Sequence, residues 1–259
     1  MDNTSRTVQS LDRAILLLEE LAQHIDGCGV THLSCLTGLH KSTIHRLLNT
    51  LMNKGYISKD SETNKYYLGI KILHLSSAIL DRLDVRKIAR PYAEELCRST
   101  DEVVHLSILD SGEAVYIDKF ESPNKSIRMY SQIGRRVPLH CTGVGKVLLA
   151  WLPEEDVEYI LKSKGMKAHT QNTITDIKTM KKHLEEIRNK GYALDEIEHE
   201  DGIRCVAAPI YNLKGKVIAS ISVSGPVTCV TKERMPELTK EVLKTAKNIS
   251  HELGYDKNL

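Results

Sequence analysis

The chain has 259 residues, with 36 Lys and Arg against 34 Asp and Glu, a formal net charge of +2, 41% hydrophobic residues and 27% charged. That balance is ordinary for a folded protein with room for a small domain and a larger one. It excludes a uniformly basic nucleic-acid binder, so that only the distribution of charge can point to DNA, and no apolar run approaches the length of a membrane span. The first ten residues, MDNTSRTVQS, lack an apolar core flanked by basic residues, so no signal peptide is expected. Six cysteines (Cys28, Cys35, Cys97, Cys141, Cys205, Cys229) stand without CxxC spacing. They read as free thiols of a reducing cytoplasm, with neither a disulfide framework nor a metal site, and no cofactor is expected.

In chain order, Ser10 is a good N-cap for a helix whose apolar face holds Leu11, Ala14, Ile15, Leu18, Leu21 and Ala22. Gly27 and Gly29 end it. Thr31 is placed to cap a short second helix with Leu33 and Leu36, and Gly38 suits the left-handed position past its end. The third helix lies in GLHKSTIHRLLNTLMNKGY, where Ile44, Leu47, Leu48, Leu51 and Met52 form one stripe and Gly55 closes it. YISKD and KYYLG around SETN read as a hairpin. Three helices and a hairpin make a winged helix-turn-helix over residues 1–69. Residues 70–83, IKILHLSSAILDRL, form an apolar-striped linking helix, a candidate dimer contact or a helix packed on its own domain.

Residues 84–259 are mixed. A helix containing Pro91 precedes VVHLSIL and AVYIDKFE, a hairpin around DSGE, and SIRMYSQ reads as a third strand. VLLAWL begins a helix after GRRVPLHCTGVGK, Pro153 opens another, and Thr175 is placed to cap one that ends at Gly191. YALD, IRCVAAPIY and KVIASISVS are strands. Thr231 is placed to cap a last helix, with Pro236 interrupting or kinking it. Antiparallel hairpins with helices in separate blocks give an α+β sensor domain.

The third helix carries the strongest chemical signal. From Gly27 to Lys59 there is no acidic residue, and Lys41, Ser42, Thr43, His45, Arg46 and Asn49 fall opposite the apolar stripe. DNA offers phosphate and base-edge acceptors, and a recognition helix aims its N-terminal donors at them. Thr31 and the hairpin's Lys59 and Lys65 complete the DNA-facing set. In the second half, GVGK resembles the end of a phosphate loop, but His140 stands where that loop needs Gly and Val147 where it needs Ser or Thr. It reads instead as a helix start, either anion-binding or merely tightly packed. Asp195, His199 and Cys205 could be drawn as a thiol triad, though Cys205 sits in an apolar strand-like run rather than a nucleophile turn. Ser222 and Ser224 repeat every second residue and so share a face, either ligand-binding or the solvated side of an edge strand.

GLHKSTIHRLLNTLMNKGY, PLHCTGVGKVLLA and GIRCVAAPIYNLKGKVIASISVSGP together resemble the IclR family of bacterial transcriptional regulators, over essentially the whole chain. The resemblance implies a fold of class α+β: an N-terminal winged helix-turn-helix, a linking helix and a C-terminal GAF-like effector-binding domain. It also implies a homodimer or dimer of dimers on palindromic double-stranded operator DNA. SIRMYSQIGRRVPLHCTGVGKVLLAW and ISHELGY are similar to the branch that represses sugar-acid catabolism, whose effector is 2-keto-3-deoxygluconate. By that resemblance Gly143 and Val144 meet an effector carboxylate, and Asp195, Cys205, Ser222 and Ser224 complete the pocket, with Val144 standing where related pockets have Ala. The expected protein is a cytoplasmic repressor relieved by a small keto or hydroxy acid. An activator of the same build and an enzyme using Cys205 are the rival readings.

Overall fold

The computed structural model describes residues 8–80, 84–122 and 131–255. The chain divides into two compact units, residues 1–82 and 83–259. In the first, α1 (Gln9–Gln23), α2 (Val30–Thr37) and α3 (Lys41–Asn53) precede a hairpin of β1 (Ile57–Lys59) and β2 (Tyr66–Leu68), followed by α4 (Lys71–Leu80). Leu17 and Leu21, one turn apart on α1, meet Leu33, Ile44, Leu48, Ile57 and Tyr66 in one buried cluster. Ile44 and Leu48 are likewise one helical turn apart, which turns the opposite face of α3 to solvent.

The ends of these helices refine the sequence reading. Gly38 adopts φ +67 past the end of α2, and its amide bonds to the Ser34 carbonyl, as only Gly does without strain. Ser10 and Thr31 are not caps. Both helices start a residue or two earlier, at Gln9 after Val8 and at Val30 after Gly29. The cause at α2 is tertiary: Cys28 exchanges both backbone hydrogen bonds with Tyr66, so the chain is extended up to Gly29 and turns at once into the helix. The expected stripe of the linking helix is partly in view. Of the stripe Ile72, Leu73, Ser76, Ile79, Leu80 and Leu83, Leu73 is 62% exposed and Ile72 and Ser76 are half-buried, while the side chains of Ile79, Leu80 and Leu83 lie outside the described residues; Ile70 (80%) and Leu75 (45%), off that stripe, are exposed as well.

The second unit runs α5 (Asp84–Thr100), β3 (Val103–Asp110), β4 (Glu113–Phe120), β5 (Arg136–Val137), α6 (Gly143–Ala150), α7 (Glu154–Lys164), α8 (Ile177–Lys190), β6 (Ala193–Glu196), β7 (Ile203–Tyr211), β8 (Val217–Pro226) and α9 (Met235–Glu252). Its strands form one six-stranded sheet, ordered β5-β4-β3-β8-β7-β6, antiparallel at each pairing. Side chains alternate across the sheet. Val206, Ala208, Ile210, Ile221 and Val223 pack with α5 and α9 on one face. Ala207 and Ala193 pack under α6 and α8 on the other. Both faces are covered, so β7 and β8 read as nearly continuous buried runs.

Several local expectations change here. Asp176, not Thr175, caps α8, its Oδ1 accepting from the Thr179 amide at 2.8 Å. The helix expected from VLLAWL begins earlier, at Gly143, because the Thr142 hydroxyl accepts from the Gly145 amide at 3.1 Å. Pro236 neither interrupts nor kinks α9. It lies in the first turn, where its missing N–H has no intrahelical acceptor to lose, and Thr231 instead receives the Arg234 amide in the preceding turn. Of the expected strand SIRMYSQ only Ser131 and Gln132 are described, and they are not in a strand; Arg136–Val137 pairs with β4. β8 is no edge strand, since β3 and β7 flank it, so a solvated Ser222 and Ser224 face is ruled out.

Candidate functional site

Along α3, Lys41, Ser42, His45, Arg46 and Asn49 are exposed, as are Thr50 and Asn53, with Thr43 half-buried. Ser42, Arg46 and Asn49 sit opposite Ile44 and Leu48, both fully buried, and Lys41 lies at the helix start. Arg46 has no ion-pair partner among the described residues. His40 caps the helix: its Nδ1 accepts from the Ser42 amide at 3.3 Å and lies 2.8 Å from the Ser42 hydroxyl. The capping role of His40 was not legible in the sequence, since His is not a usual cap. Thr31 is exposed in the first turn of α2. In the hairpin Lys59 is exposed with its ammonium 5.6 Å from the Tyr66 ring centre. Lys65 is half-buried and donates to the Asp26 carbonyl at 3.1 Å, so its ammonium ties the hairpin to the loop after α1.

In the second unit, register assembles a pocket. Asp195, Cys205 and Ser224 are successive cross-strand partners on β6, β7 and β8, and Ser222 pairs with His105 of β3 in the next row. Cross-strand partners share a face, here the one under the start of α6. Gly143 makes that approach possible: a Cβ there would stand 2.9 Å from Cys205 Sγ. All six residues expected to hold an effector (Gly143, Val144, Asp195, Cys205, Ser222, Ser224) line a single cavity of about 50 Å³. His105, Tyr116, Ser131, Arg135, His199 and Glu200 line it too. Apart from His199, which the sequence already set beside Asp195 and Cys205, these come from other strands and loops that no spacing in the sequence pairs with the first six.

The cavity is lined by donors suited to oxygen atoms together with the carboxyl groups of Asp195 and Glu200. The Gly143 and Val144 amides are the first two of α6, where a helix has donors without intrahelical acceptors and a partial positive charge. Ser222 is 1% exposed, and its buried hydroxyl makes no hydrogen bond of ordinary geometry among the described residues, although it lies near the Cys205 sulfur. His105 Nε2 pairs with the Ser131 hydroxyl at 2.7 Å, its Nδ1 is buried without a partner, and burial holds the ring neutral, near 3. Buried polar atoms of this kind normally find partners, so two of them facing one cavity point to a ligand. Burial pushes the Asp195 carboxyl up to about 7 even though the Glu198 amide donates to it at 2.7 Å. At neutral pH it can accept from a hydroxyl or, protonated, donate to an oxygen.

Two sequence readings are settled by this geometry. The lysine of GVGK is not a phosphate ligand. Lys146 is fully buried, paired with Glu198 and 3.3 Å from His183 Nε2. Nor do Asp195, His199 and Cys205 form a working triad. Burial pushes the Cys205 thiol up to about 12, and the nearby sulfur of His199 Nδ1 is that of Cys141, at 3.6 Å. A nucleophilic cysteine needs the opposite shift.

Comparison with known proteins agrees. Residues 10–61 match the IclR helix-turn-helix domain and residues 77–251 the bacterial transcriptional regulator IclR C-terminal domain. The HTH-type transcriptional regulator XynR of Escherichia coli is 37% identical over 248 residues, covering 96% of this chain and 98% of XynR. The regulator KdgR of the same organism is 36% identical over 255 residues, covering 98% and 96%. The crystal structure of the Thermotoga maritima IclR superposes with a TM-score of 0.79 at 34% identity, covering 95% of this chain and 99% of that one. No helix among the described residues is long and apolar enough to cross a membrane. The chain belongs to the IclR family of bacterial transcriptional regulators, proteins that bind operator DNA and small-molecule effectors.

Proposed function

We propose that the chain represses a sugar-acid catabolic operon and leaves its operator when a small keto or hydroxy acid binds under α6. Residues 1–69 read DNA through Lys41, Ser42, Thr43, His45, Arg46 and Asn49, with Thr31, Lys59 and Lys65 on the flanking phosphates. Residues 70–83 link the domains, and 84–259 bind the effector. The operator is palindromic, because one winged helix reads one half-site and a two-fold pair reads both. The exposed Ile70, Leu73 and Leu75 around α4 suit pairing of subunits.

The observation that carries the effector reading is the buried Ser222 hydroxyl, which makes no hydrogen bond of ordinary geometry and lines the same cavity as Gly143 and Val144 at the start of α6. The amides receive the carboxylate, the serines and His105 the remaining oxygens, and Asp195 a hydroxyl. The cavity of about 50 Å³ has room for a few water molecules, so a six-carbon acid such as 2-keto-3-deoxygluconate has to part its walls. That movement is a natural source of the coupling. A ligand shifts an equilibrium only by its preference between the two states. Coupling of about 1–3 kcal/mol lowers operator affinity roughly 5- to 150-fold, and operator weakens the effector equally. The cavity's size also favours a second ligand class, two- and three-carbon keto acids. Calorimetry with 2-keto-3-deoxygluconate, pyruvate and glyoxylate, on wild type and Asp195→Ala, tests the reading. Binding by wild type that Asp195→Ala weakens supports it. No binding of any of the three, with an aromatic acid bound instead, overturns the ligand class. In a deletion strain, transcripts of the controlled operon rise for a repressor and fall for an activator.

A further inference from the structure

Beside the cavity under α6, three loops bring together side chains from separate stretches of the chain. His140 and Cys141 stand just before α6, His169 in the loop between α7 and α8, and His199 in the turn between β6 and β7. One ligand atom each from His140, Cys141 and His169 fall within 4.8 Å of one another. His199 Nδ1 is 3.6 Å from Cys141 Sγ, and its ring centre is 5.0 Å from that of His169. We propose that His140, Cys141, His169 and His199 form a binding site for a divalent transition-metal ion of the zinc class.

The geometry and the chemistry agree. Zinc bonds to sulfur at about 2.3 Å and to imidazole at about 2.0–2.1 Å, so a tetrahedral site holds its S and N atoms about 3.5 Å apart. That is the Cys141–His199 separation. One thiolate and three imidazoles form a donor set for zinc and its neighbours and not for calcium or magnesium, which take oxygen. His140 is oriented as metal-bound histidines are: Nε2 donates to the Lys167 carbonyl at 3.0 Å, which leaves Nδ1 for the ion. The two outer loops are fastened to each other. Thr170 Oγ1 donates to the Ile197 carbonyl and Thr173 Oγ1 to the Glu198 carbonyl, each at 2.6 Å, while the His169 amide donates to Thr173 Oγ1 at 3.0 Å. Exposed His169 gives the ion a way in, while His140 and Cys141 are buried. On binding, the Cys141 thiol proton passes to solvent and the imidazoles bind neutral.

The test is a cobalt(II) titration of the full-length, tag-free, chelator-treated protein, followed by visible and near-ultraviolet absorption. The expected result is one equivalent bound, with tetrahedral ligand-field bands and a thiolate-to-cobalt charge-transfer band, both bleached by one equivalent of zinc. Cys141→Ser should remove the charge-transfer band. His169→Ala, at an exposed position that cannot unfold the core, should weaken cobalt binding about tenfold or more. Cys35→Ser, at an exposed thiol elsewhere, should leave the spectrum unchanged. Absence of the charge-transfer band from wild type, its persistence in Cys141→Ser, or wild-type cobalt affinity in His169→Ala overturns the site. If Cys141→Ser does not fold, His169→Ala alone decides.

Discussion

Two serines on one strand separate a ligand-binding role from a structural one. Ser220 and Ser222 are adjacent on the same face of β8, 0% and 1% exposed. Ser220 Oγ donates to the Val144 carbonyl at 3.3 Å, whereas Ser222 Oγ has no such partner. Deleting a hydroxyl that makes a net hydrogen bond costs about 0.5–1.5 kcal/mol, while a buried hydroxyl left unsatisfied itself costs about 1–3 kcal/mol. Ser220→Ala should therefore destabilise the protein by roughly 1 kcal/mol and leave effector affinity nearly unchanged. Ser222→Ala should leave the ligand-free protein as stable as wild type or up to about 1–3 kcal/mol more stable. It should weaken effector binding by about 1.5–3 kcal/mol, roughly 10- to 150-fold, if the hydroxyl meets a charged oxygen. Urea denaturation without ligand gives the first quantity and calorimetry with the tightest keto acid the second. If Ser222→Ala destabilises as Ser220→Ala does and binds the acid like wild type, the hydroxyl is structural and the pocket reading fails.

Other consequences are direct. Arg46→Ala, and to a lesser degree Lys41→Ala, should weaken operator binding by about 1–3 kcal/mol with the effector unaffected, as measured by fluorescence anisotropy; wild-type affinity in both would remove α3 from the interface. Gly143→Ala places a methyl 2.9 Å from Cys205 Sγ and 3.4 Å from the Ala207 Cβ. It should cost about 1–3 kcal/mol in denaturant melts, recovered in part by adding Cys205→Ala, and full stability of the single variant would refute the close packing of α6 on β7. With its thiol pushed up to about 12 by burial, Cys205 should resist alkylation of the folded protein at pH 7.5 while exposed Cys35 reacts. Equal labelling rates in peptide mapping would revive the nucleophile reading.

The elements of this chain were legible because their signals are local. Ile44 and Leu48 announce a helix face, Gly38 and Gly191 its typical end, and SETN and DSGE their hairpins. Caps were missed where a distant partner sets the entry of the helix, as the Cys28–Tyr66 pairing does for α2, or where an adjacent carboxylate outcompetes a hydroxyl, as Asp176 does beside Thr175. In the pocket, the shared face of Ser222 and Ser224 follows from period two, but their burial does not. It depends on β3, more than a hundred residues earlier, pairing with β8 and moving it to the middle of the sheet. The same pairing brings in His105. Lys146 was conspicuous within GVGK, yet its partner Glu198 is found only once the turn after β6 folds back over α6.

The central claim is DNA recognition by paired α3 helices under effector control. The most direct measurement is selection of bound duplexes from a random DNA pool by the full-length protein, followed by sequencing, with and without the bound keto acid. The account predicts enrichment of one inverted repeat, with half-sites about one helical turn or a multiple of it apart and lost when the acid is present. Enrichment of no sequence, or of a single half-site indifferent to the acid, would contradict it.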